Sequence, residues 1–135
     1  MTKFESRIGK LNTSEEKAFS FLSDFRNFSR FIPPDKINEW EASAEQCKFT
    51  VEGVGKVGLK IIEKEPNKLV KITGDSTAGL EFFFWIQIKE IEQKDTRVKL
   101  TIKADLNPMM KMVAAKPLKS FVNMMVDKIE KYSFD

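Results

Sequence analysis

The segment Gly53-Val54-Gly55-Lys56-Val57-Gly58 has the G-x-G-x-x-G spacing with which dinucleotide-binding proteins hold a pyrophosphate. That chemistry needs a strand before the glycines and a helix after them, so that the helix amino terminus meets the phosphates. The residues that follow, Leu59-Lys60-Ile61-Ile62-Glu63, are instead a short β-rich run that stops at Pro66. We therefore predict that the glycines form a hairpin loop and hold no nucleotide cofactor.

The composition restricts catalytic chemistry further. The 135 residues include no histidine, which excludes histidine metal ligands, a Ser-His-Asp triad and a histidine general base. Cys47 is the only cysteine, so no intramolecular disulfide can form and a cysteine-rich zinc site is disfavoured. Strand alternation points Cys47 inward, which makes it a buried hydrophobe rather than an activated nucleophile. We expect no catalytic, cofactor-binding or metal-binding residues, and acid–base work would need Tyr132, a buried lysine or a misplaced carboxylate.

Length and charge indicate one globular domain over residues 1–135. The chain is 41% hydrophobic and 32% charged, and this length suits a single core. The net charge of +3 comes from interspersed lysines and glutamates, which is typical of a solvated face, and we expect no nucleic-acid partner. No apolar run is long enough for a membrane helix, and the first residues lack the apolar stretch of a secretory signal. We therefore expect a cytoplasmic protein without an integral membrane segment.

Two short helices are expected near the amino terminus. Thr13 should cap the first, because Glu16 stands at the capping-box spacing. Ala18 and Leu22 belong to its apolar stripe. A second helix restarts at residue 24 and should end at Pro33-Pro34.

A long helix is expected over the last 29 residues. Asn107 should cap it and Pro108 should take its first position. Apolar residues then recur at spacings of three and four, and Pro117 should kink the helix. Such a helix can bury its stripe only across the concave face of a sheet.

Between the helices the hydrophobic period changes to two, which predicts strands. The predicted strands are 37–42, 47–52, 56–64, 68–74, 80–91 and 97–106, with a seventh at 3–10 before the first helix. Because paired residues of an antiparallel ladder share one face, the hairpin registers can be argued from the inner residues. The predicted pairs include Ile88 with Leu100, Ile86 with Ile102, Phe84 with Ala104, Ile72 with Phe82, Val70 with Phe84, Phe49 with Leu59, Cys47 with Ile61 and Trp40 with Phe49.

This order of elements resembles the START-like, or SRPBCC, superfamily with the helix-grip fold, over essentially the whole chain. Residues 13–25 look like the first-helix segment of that group, Ile32-Pro33-Pro34 like its exit, and residues 53–57 and 63–68 like its hairpin turns. The group includes polyketide cyclase-like proteins, pollen-allergen-like proteins and the small G-subunit-like proteins of carbon monoxide dehydrogenase clusters. The resemblance implies an α+β fold, in which a curved seven-stranded antiparallel sheet wraps around the long C-terminal helix. Its motifs indicate fold and not chemistry.

The resemblance also implies an apolar cavity between sheet and helix, with an ordinary filled core as the competing interpretation. We expect it to bind a hydrophobic or amphipathic small molecule, such as a lipid or polyketide, without turnover. A cyclase, dehydratase or hydrolase using the same cavity, and a protein-interaction module acting through the outer sheet, are the alternatives. The expected ligand-binding residues are Trp40, Phe49, Phe82, Phe84, Met110, Val113, Leu118 and Phe121. Polar candidates at the cavity or its rim are Ser6, Arg26, Arg30, Asn38, Asn123 and Tyr132.

The same registers place four large apolar residues on the outer face of the sheet: Ile62, Leu69, Phe83 and Trp85. Such a patch usually marks a contact surface. It predicts a homodimer, a monomer in which the stems of Lys60, Lys71 and Lys99 shield the patch, or a register error that exchanges Phe83 and Trp85 with Phe82 and Phe84.

Overall fold

The structure, a computed structural model, describes residues 1–31, 37–51, 55–76 and 81–134. Strands and helices follow in the order that the sequence predicts. They are β1 (Thr2–Glu5), β2 (Gly9–Leu11), α1 (Glu15–Leu22), a 3₁₀ helix (Phe25–Phe31), β3 (Ile37–Ala42), β4 (Gln46–Val51), β5 (Gly55–Glu65), β6 (Leu69–Ser76), β7 (Phe82–Glu92), β8 (Asp95–Ala104) and α2 (Pro108–Lys131). The predicted stop of the second helix at Pro33-Pro34 lies outside the described residues.

One antiparallel sheet organises the molecule. Its strand order is β1-β8-β7-β6-β5-β4-β3, and β2 also pairs with β8. Helix α2 lies over β1, β2, β8 and the 3₁₀ helix, and α1 contacts β6 and β7. The side chains that α2 buries are Val122, Met125, Val126 and Ile129. The α+β helix-grip prediction is confirmed.

The predicted strand at 3–10 is two strands, because the chain breaks at Ser6. The Ser6 side chain is buried, accepts a hydrogen bond of 2.9 Å from the backbone amide of Leu100 and donates one of 2.7 Å to the carbonyl of Arg7. After the break, β2 pairs Gly9 with Val98. The sheet therefore has eight strands rather than seven, and the two strands that replace the predicted one, β1 and β2, both pair with β8.

Three predicted registers are wrong by two residues, and the faces are nevertheless correct. Residues 93–94 form the turn between β7 and β8, and Lys94 has a φ of 59°. A bulge between Glu90 and Glu92 precedes this turn. Because side chains alternate with a period of two, a slip of two preserves the inner face. The observed pairs are Ile88 with Val98, Ile86 with Leu100, Phe84 with Ile102, Ile72 with Phe84, Val70 with Ile86, Phe49 with Val57 and Cys47 with Leu59.

The cap of α1 is Ser14, not Thr13. The Ser14 hydroxyl accepts a hydrogen bond of 3.2 Å from the amide of Lys17. Thr13 is buried, and its carbonyl accepts a 2.6 Å hydrogen bond from the hydroxyl of Thr96 on β8. Thr13 therefore ties the helix entrance to the sheet, and the capping role falls to the next residue.

The glycine-rich motif leads into a strand. Residues 52–54 lie outside the described part, but Gly55 begins β5 and has a φ of 110°. A left-handed conformation of this kind suits glycine in a hairpin. The hairpin interpretation of the motif agrees with this strand, whereas the dinucleotide site would need a helix in its place.

The carboxyl-terminal half of α2 is fixed against the start of the chain. A Cβ atom on Gly9 would lie 2.6 Å from Cγ1 of Val126, so the strand and helix approach closely only because residue 9 is a glycine. The Arg7 guanidinium forms salt bridges with Asp127 and Glu130. The amide of Lys10 donates a further 2.7 Å hydrogen bond to Glu130.

Candidate functional site

Trp40 and Phe49 form an aromatic pair on the inner face of the sheet. Their ring centroids are 5.4 Å apart and the rings are stacked at 25°. The β3–β4 register shifts between Asn38 and Glu41, and Glu39 has a φ of 56°. The bulge brings Trp40 next to Phe49, as predicted. Both rings are half-buried against the core.

A row of paired residues crosses the sheet beside this pair. Cys47 pairs with Leu59, Leu59 with Gly74, Gly74 with Phe82 and Phe82 with Ala104. A Cβ atom on Gly74 would lie 2.3 Å from Cζ of Phe82, so the Phe82 ring covers the glycine. Phe82 and Leu59 remain half-buried. The row leads from buried Cys47 to the end of β8, just before α2 begins.

The apolar stripe of α2 extends beyond the part of the helix that the protein covers. Phe121 and Leu118 are half-buried against the core. Met110 lies on the same side of the helix as Phe121, because eleven residues make about three turns, and Val113 adjoins Met110 one turn along. The exposures of Met110 and Val113 are 41% and 73%. Pro117 lies between the covered and uncovered halves. We use the name inner groove for the half-buried sheet residues Trp40, Phe49, Leu59 and Phe82 together with Met110 and Val113 of α2.

The structure brings the predicted ligand-binding residues together only in part. Trp40, Phe49 and Phe82 are half-buried on the sheet, and Phe84 is buried in the core. Leu118 and Phe121 contact that core, whereas Met110 and Val113 project from the amino-terminal half of α2. The predicted set therefore divides into residues that are buried or half-buried and two residues, Met110 and Val113, that are exposed on the helix.

The predicted polar candidates hold structural contacts elsewhere. The Asn123 side-chain oxygen accepts a 2.8 Å hydrogen bond from the amide of Arg7, and Asn38 is exposed. The Arg26 guanidinium binds the carboxylate of Asp24, with its closest nitrogen 2.6 Å away. These contacts fasten elements to one another and leave the inner groove predominantly apolar.

A second cleft lies between α1 and the carboxyl-terminal residues. It has a volume of about 430 Å³, and its lining residues are Lys17, Ser20, Phe21, Asp24, Asn27, Tyr132 and Phe134. Rings of Phe21 and Tyr132 meet edge to face at 4.3 Å, and the Arg30 guanidinium lies 5.7 Å from the Tyr132 ring. This cleft was not predicted from the sequence, although the late aromatic residues were a signal for it.

The titratable groups with perturbed pKa values include one buried thiol and four carboxylates in ion pairs. Burial raises the pKa of the Cys47 thiol to about 12, which keeps it protonated. Hydrogen bonds from Lys3 and Lys99 lower the pKa of Glu5 to about 2, and arginine partners lower the pKa values of Asp24, Asp95 and Glu130. Within the described residues, no group of three or more histidine, cysteine, aspartate or glutamate side chains could hold a metal ion.

The predicted outer patch does face away from the core. Phe84 and Ile86 are buried, while their neighbours Phe83 and Trp85 are half-buried on the opposite face. The alternative of a register error that exchanges these faces is therefore wrong. Ile62 is 48% exposed, and Leu69 is half-buried and pairs with Gln87.

Lysines cover the outer rings. The Lys71 ammonium lies 5.0 Å from the Phe83 ring and 5.4 Å from the Trp85 ring, and the Lys103 ammonium lies 5.4 Å from Trp85. Lys71 thus contacts both rings through its ammonium group, and the shielded monomer stays a prediction. Lys103 contacts Trp85 as well, whereas Lys99 binds Glu5.

Solved structures share this fold at low sequence identity. A norcoclaurine synthase from Thalictrum flavum is 12% identical, with a TM-score of 0.73, over 96% of this chain and 92% of that chain. The Aha1 dimer from Colwellia psychrerythraea is 18% identical, with a TM-score of 0.66, over 97% and 98%. A START superfamily protein from Mycobacterium smegmatis is 15% identical, with a TM-score of 0.63, over 97% and 99%. These similarities confirm the START-like fold.

The sequence comparisons specify the family within that fold. No curated protein matches the chain significantly. Among the described residues, no helix is long and apolar enough to cross a membrane. The family model described as the carbon monoxide dehydrogenase G subunit (CoxG) matches residues 9–131, and the chain belongs to that family.

Proposed function

We propose that this protein binds a hydrophobic or amphipathic small molecule in the inner groove, without chemical turnover. The START-like fold supports a ligand-binding use, because it sets a long helix across the concave face of a sheet. The ligand would be of the lipid or polyketide class, with an extended apolar part. Removing its surface and that of the groove from water would contribute about 25 cal/mol per Å² of apolar area.

One observation carries the proposal: apolar side chains continue past the packed core on both the sheet and the helix. On the sheet, the Trp40–Phe49 stack and the Phe82 ring stay half-exposed. On the helix, Met110 continues the side of Phe121 into solvent, and Val113 lies exposed beside Met110. An apolar ligand would cover the exposed surfaces that the chain itself leaves open.

The groove has a direction that suits an elongated ligand. The backbone amide of Asp105, just after β8, donates a 3.5 Å hydrogen bond to the carbonyl of Glu81, just before β7, so the segment that leads into α2 lies beside the start of β7. The cross-strand row then leads away from Phe82 toward Leu59 and Cys47. Met110 lies within the first turn of the helix and is adaptable in shape, as methionines in varied apolar sites are.

Turnover is the catalytic alternative, and its support is the structural likeness to norcoclaurine synthase. An enzyme would need an acid–base pair that borders the groove. Among the described residues, the carboxylates with clearly lowered pKa values all lie in ion pairs with lysine or arginine. The thiol of Cys47 is held protonated, so it is a poor nucleophile. We therefore favour binding over catalysis.

The test uses Trp40 as the reporter. Trp85→Phe leaves Trp40 as the only tryptophan, and 1-anilinonaphthalene-8-sulfonate serves as an amphipathic probe. Binding in the groove should give energy transfer from Trp40 to the probe. Native mass spectrometry of the purified wild type should also detect a bound small molecule.

Two neighbouring residues of α2 provide a matched pair of variants. Val113 and Met112 are both strongly exposed, but Val113 adjoins Met110 whereas Met112 lies on the side of the helix opposite Phe121. In the Trp85→Phe background, Val113→Asp should weaken probe binding about tenfold, because it puts a charge in the apolar groove, while Met112→Asp should leave it unchanged. Equal effects of the two variants, or probe binding without transfer from Trp40, would rule out the inner groove.

A further inference from the structure

The outer face of the sheet carries cations that have no carboxylate partner among the described residues. Lys3 and Lys99 on this face both form ion pairs with Glu5, and Arg97 binds Asp95 at 2.9 Å. Lys71 and Lys103 differ, since within the described part of the chain their ammonium groups contact only the rings of Phe83 and Trp85. The centre of the face therefore combines aromatic surface with two ammonium groups that form no ion pair within the described residues.

Strand pairing fixes these groups in one place. Lys71 pairs with Trp85 across β6 and β7, and Phe83 pairs with Lys103 across β7 and β8. The four side chains thus occupy adjacent positions of three neighbouring strands on one face. The Phe83 and Trp85 rings, 5.9 Å apart, lie between the two lysines. We call these four residues the outer cluster.

We propose that the outer cluster is a docking surface for an acidic protein segment that carries apolar side chains between its carboxylates. Carboxylates would take the Lys71 and Lys103 ammonium groups, and apolar side chains would cover the ring edges that stay half-exposed. Aromatic residues flanked by cations are favourable anchors in protein interfaces. The strands of the cluster are central in the sheet, so contact would be made through side chains and not by adding a strand.

A second copy of the chain fits this surface less well. A two-fold interface sets the same patch of both subunits face to face. Lys71 and Lys103 of one subunit would then meet the same lysines of the other, and no described carboxylate pairs with them. The predicted homodimer through Ile62, Leu69, Phe83 and Trp85 remains a prediction, and like-charge repulsion opposes it.

Single-stranded nucleic acid also fits less well. Bases would need to stack on open faces of Phe83 and Trp85. The lysine ammonium groups already lie about the faces of both rings, at 5.0–5.4 Å from their centres. Carboxylates could bind the ammonium groups without displacing them from the rings.

The experiment measures fluorescence anisotropy of a labelled synthetic peptide in which glutamates alternate with phenylalanines. A peptide with lysines in place of the glutamates is the control. We expect the acidic peptide alone to bind, and its affinity to fall as salt is added. Lys71→Gln and Lys103→Gln should each weaken binding about threefold, and Trp85→Ala about tenfold.

Lys3→Gln is the matched control variant, because it removes the same charge from the same face but from a lysine that forms an ion pair with Glu5 and lies outside the outer cluster. It should leave peptide binding unchanged. The proposal is overturned if wild type does not bind the acidic peptide, or if Lys3→Gln weakens binding as much as Lys71→Gln. Tighter binding of a single-stranded oligonucleotide or of anionic vesicles, or Trp85-dependent dimerisation in light scattering, would overturn it as well.

Discussion

The hydroxyl group of Ser6 accepts a 2.9 Å hydrogen bond from the backbone amide of Leu100. The carbonyl of Leu100 in turn accepts a 2.8 Å hydrogen bond from the amide of Ser6. One side chain thus replaces a backbone acceptor where β1 ends and β2 has not begun. The ladder along β8 stays hydrogen-bonded across the break, which a buried amide requires.

Ser6→Ala should destabilise the fold, because the buried amide of Leu100 would lose its acceptor. We expect the free energy of unfolding to fall by about 1–3 kcal/mol, measured by urea denaturation. Ser20→Ala on the exposed surface of α1 is the control and should change it by less than about 0.5 kcal/mol. A similar loss in both variants would contradict the role given to the Ser6 hydroxyl.

Gly74→Ala should displace the Phe82 ring, since the new methyl group would occupy the ring's position. Crowding of this kind costs about 1–3 kcal/mol of unfolding free energy. In a Phe82→Ala background the same change should cost much less, because the ring is gone. A double-mutant cycle measures this difference, and strictly additive effects would show that the two residues do not compete for space.

Cys47 should resist alkylation by iodoacetamide in the folded protein and react only when urea unfolds it, because the reactive thiolate is suppressed. The pKa of the folded thiol is raised to about 12 from its ordinary 9.0. The unfolded chain therefore loses this proton first, and the free energy of unfolding should fall as pH rises from about 9 toward 12. Cys47→Ala should remove this part of the alkaline decline, and an unchanged decline would contradict the assignment.

Arg7→Gln should loosen the junction between the start of the chain and α2. Arg7 lowers the pKa of Glu130, so the pair stabilises the folded state at neutral pH and this stabilisation is lost as the carboxylate is protonated in acid. The variant should therefore show a lower urea midpoint at pH 7 and a smaller further drop at about pH 3. Arg97→Gln, which removes a pair within one strand, should affect the neutral midpoint less. Equal urea midpoints for the two variants would show that the pairs of Arg7 with Asp127 and Glu130 contribute no more to stability than the pair within β8.

The sequence was sufficient to predict which face of the sheet each side chain occupies, but not which residues pair across neighbouring strands. Alternation placed Phe84 and Ile86 inside and Phe83 and Trp85 outside, and the structure agrees. The exact register depended on turn length and on bulges such as that between Glu90 and Glu92, which hydrophobic alternation does not encode. Asn107 and Pro108 were predicted correctly as the start of α2, because capping is a local signal.

The candidate site could be predicted as a set of residues but not as a surface. Periodicity assigned Met110, Val113, Leu118 and Phe121 to one side of the helix. How far the helix is covered depends on where its second half is held, by Gly9, Arg7 and Lys10 more than a hundred residues earlier. Contacts between such distant parts of the chain leave no periodic signal. The contact between Lys103 and the Trp85 ring was not predicted, because it depends on the exact register of β7 and β8.

The pairing of β1 and β2 with β8 affects the order of events during folding. Strands β1 and β2 leave the ribosome long before their sheet partner β8, and α2, which packs against them, is made later still. Residues 2–11 therefore remain unpaired until β8 has been synthesised. Closing so long a loop is entropically costly and slows folding. We expect the meander from β3 to β8 to form first and the amino-terminal strands to dock in the final, rate-limiting step.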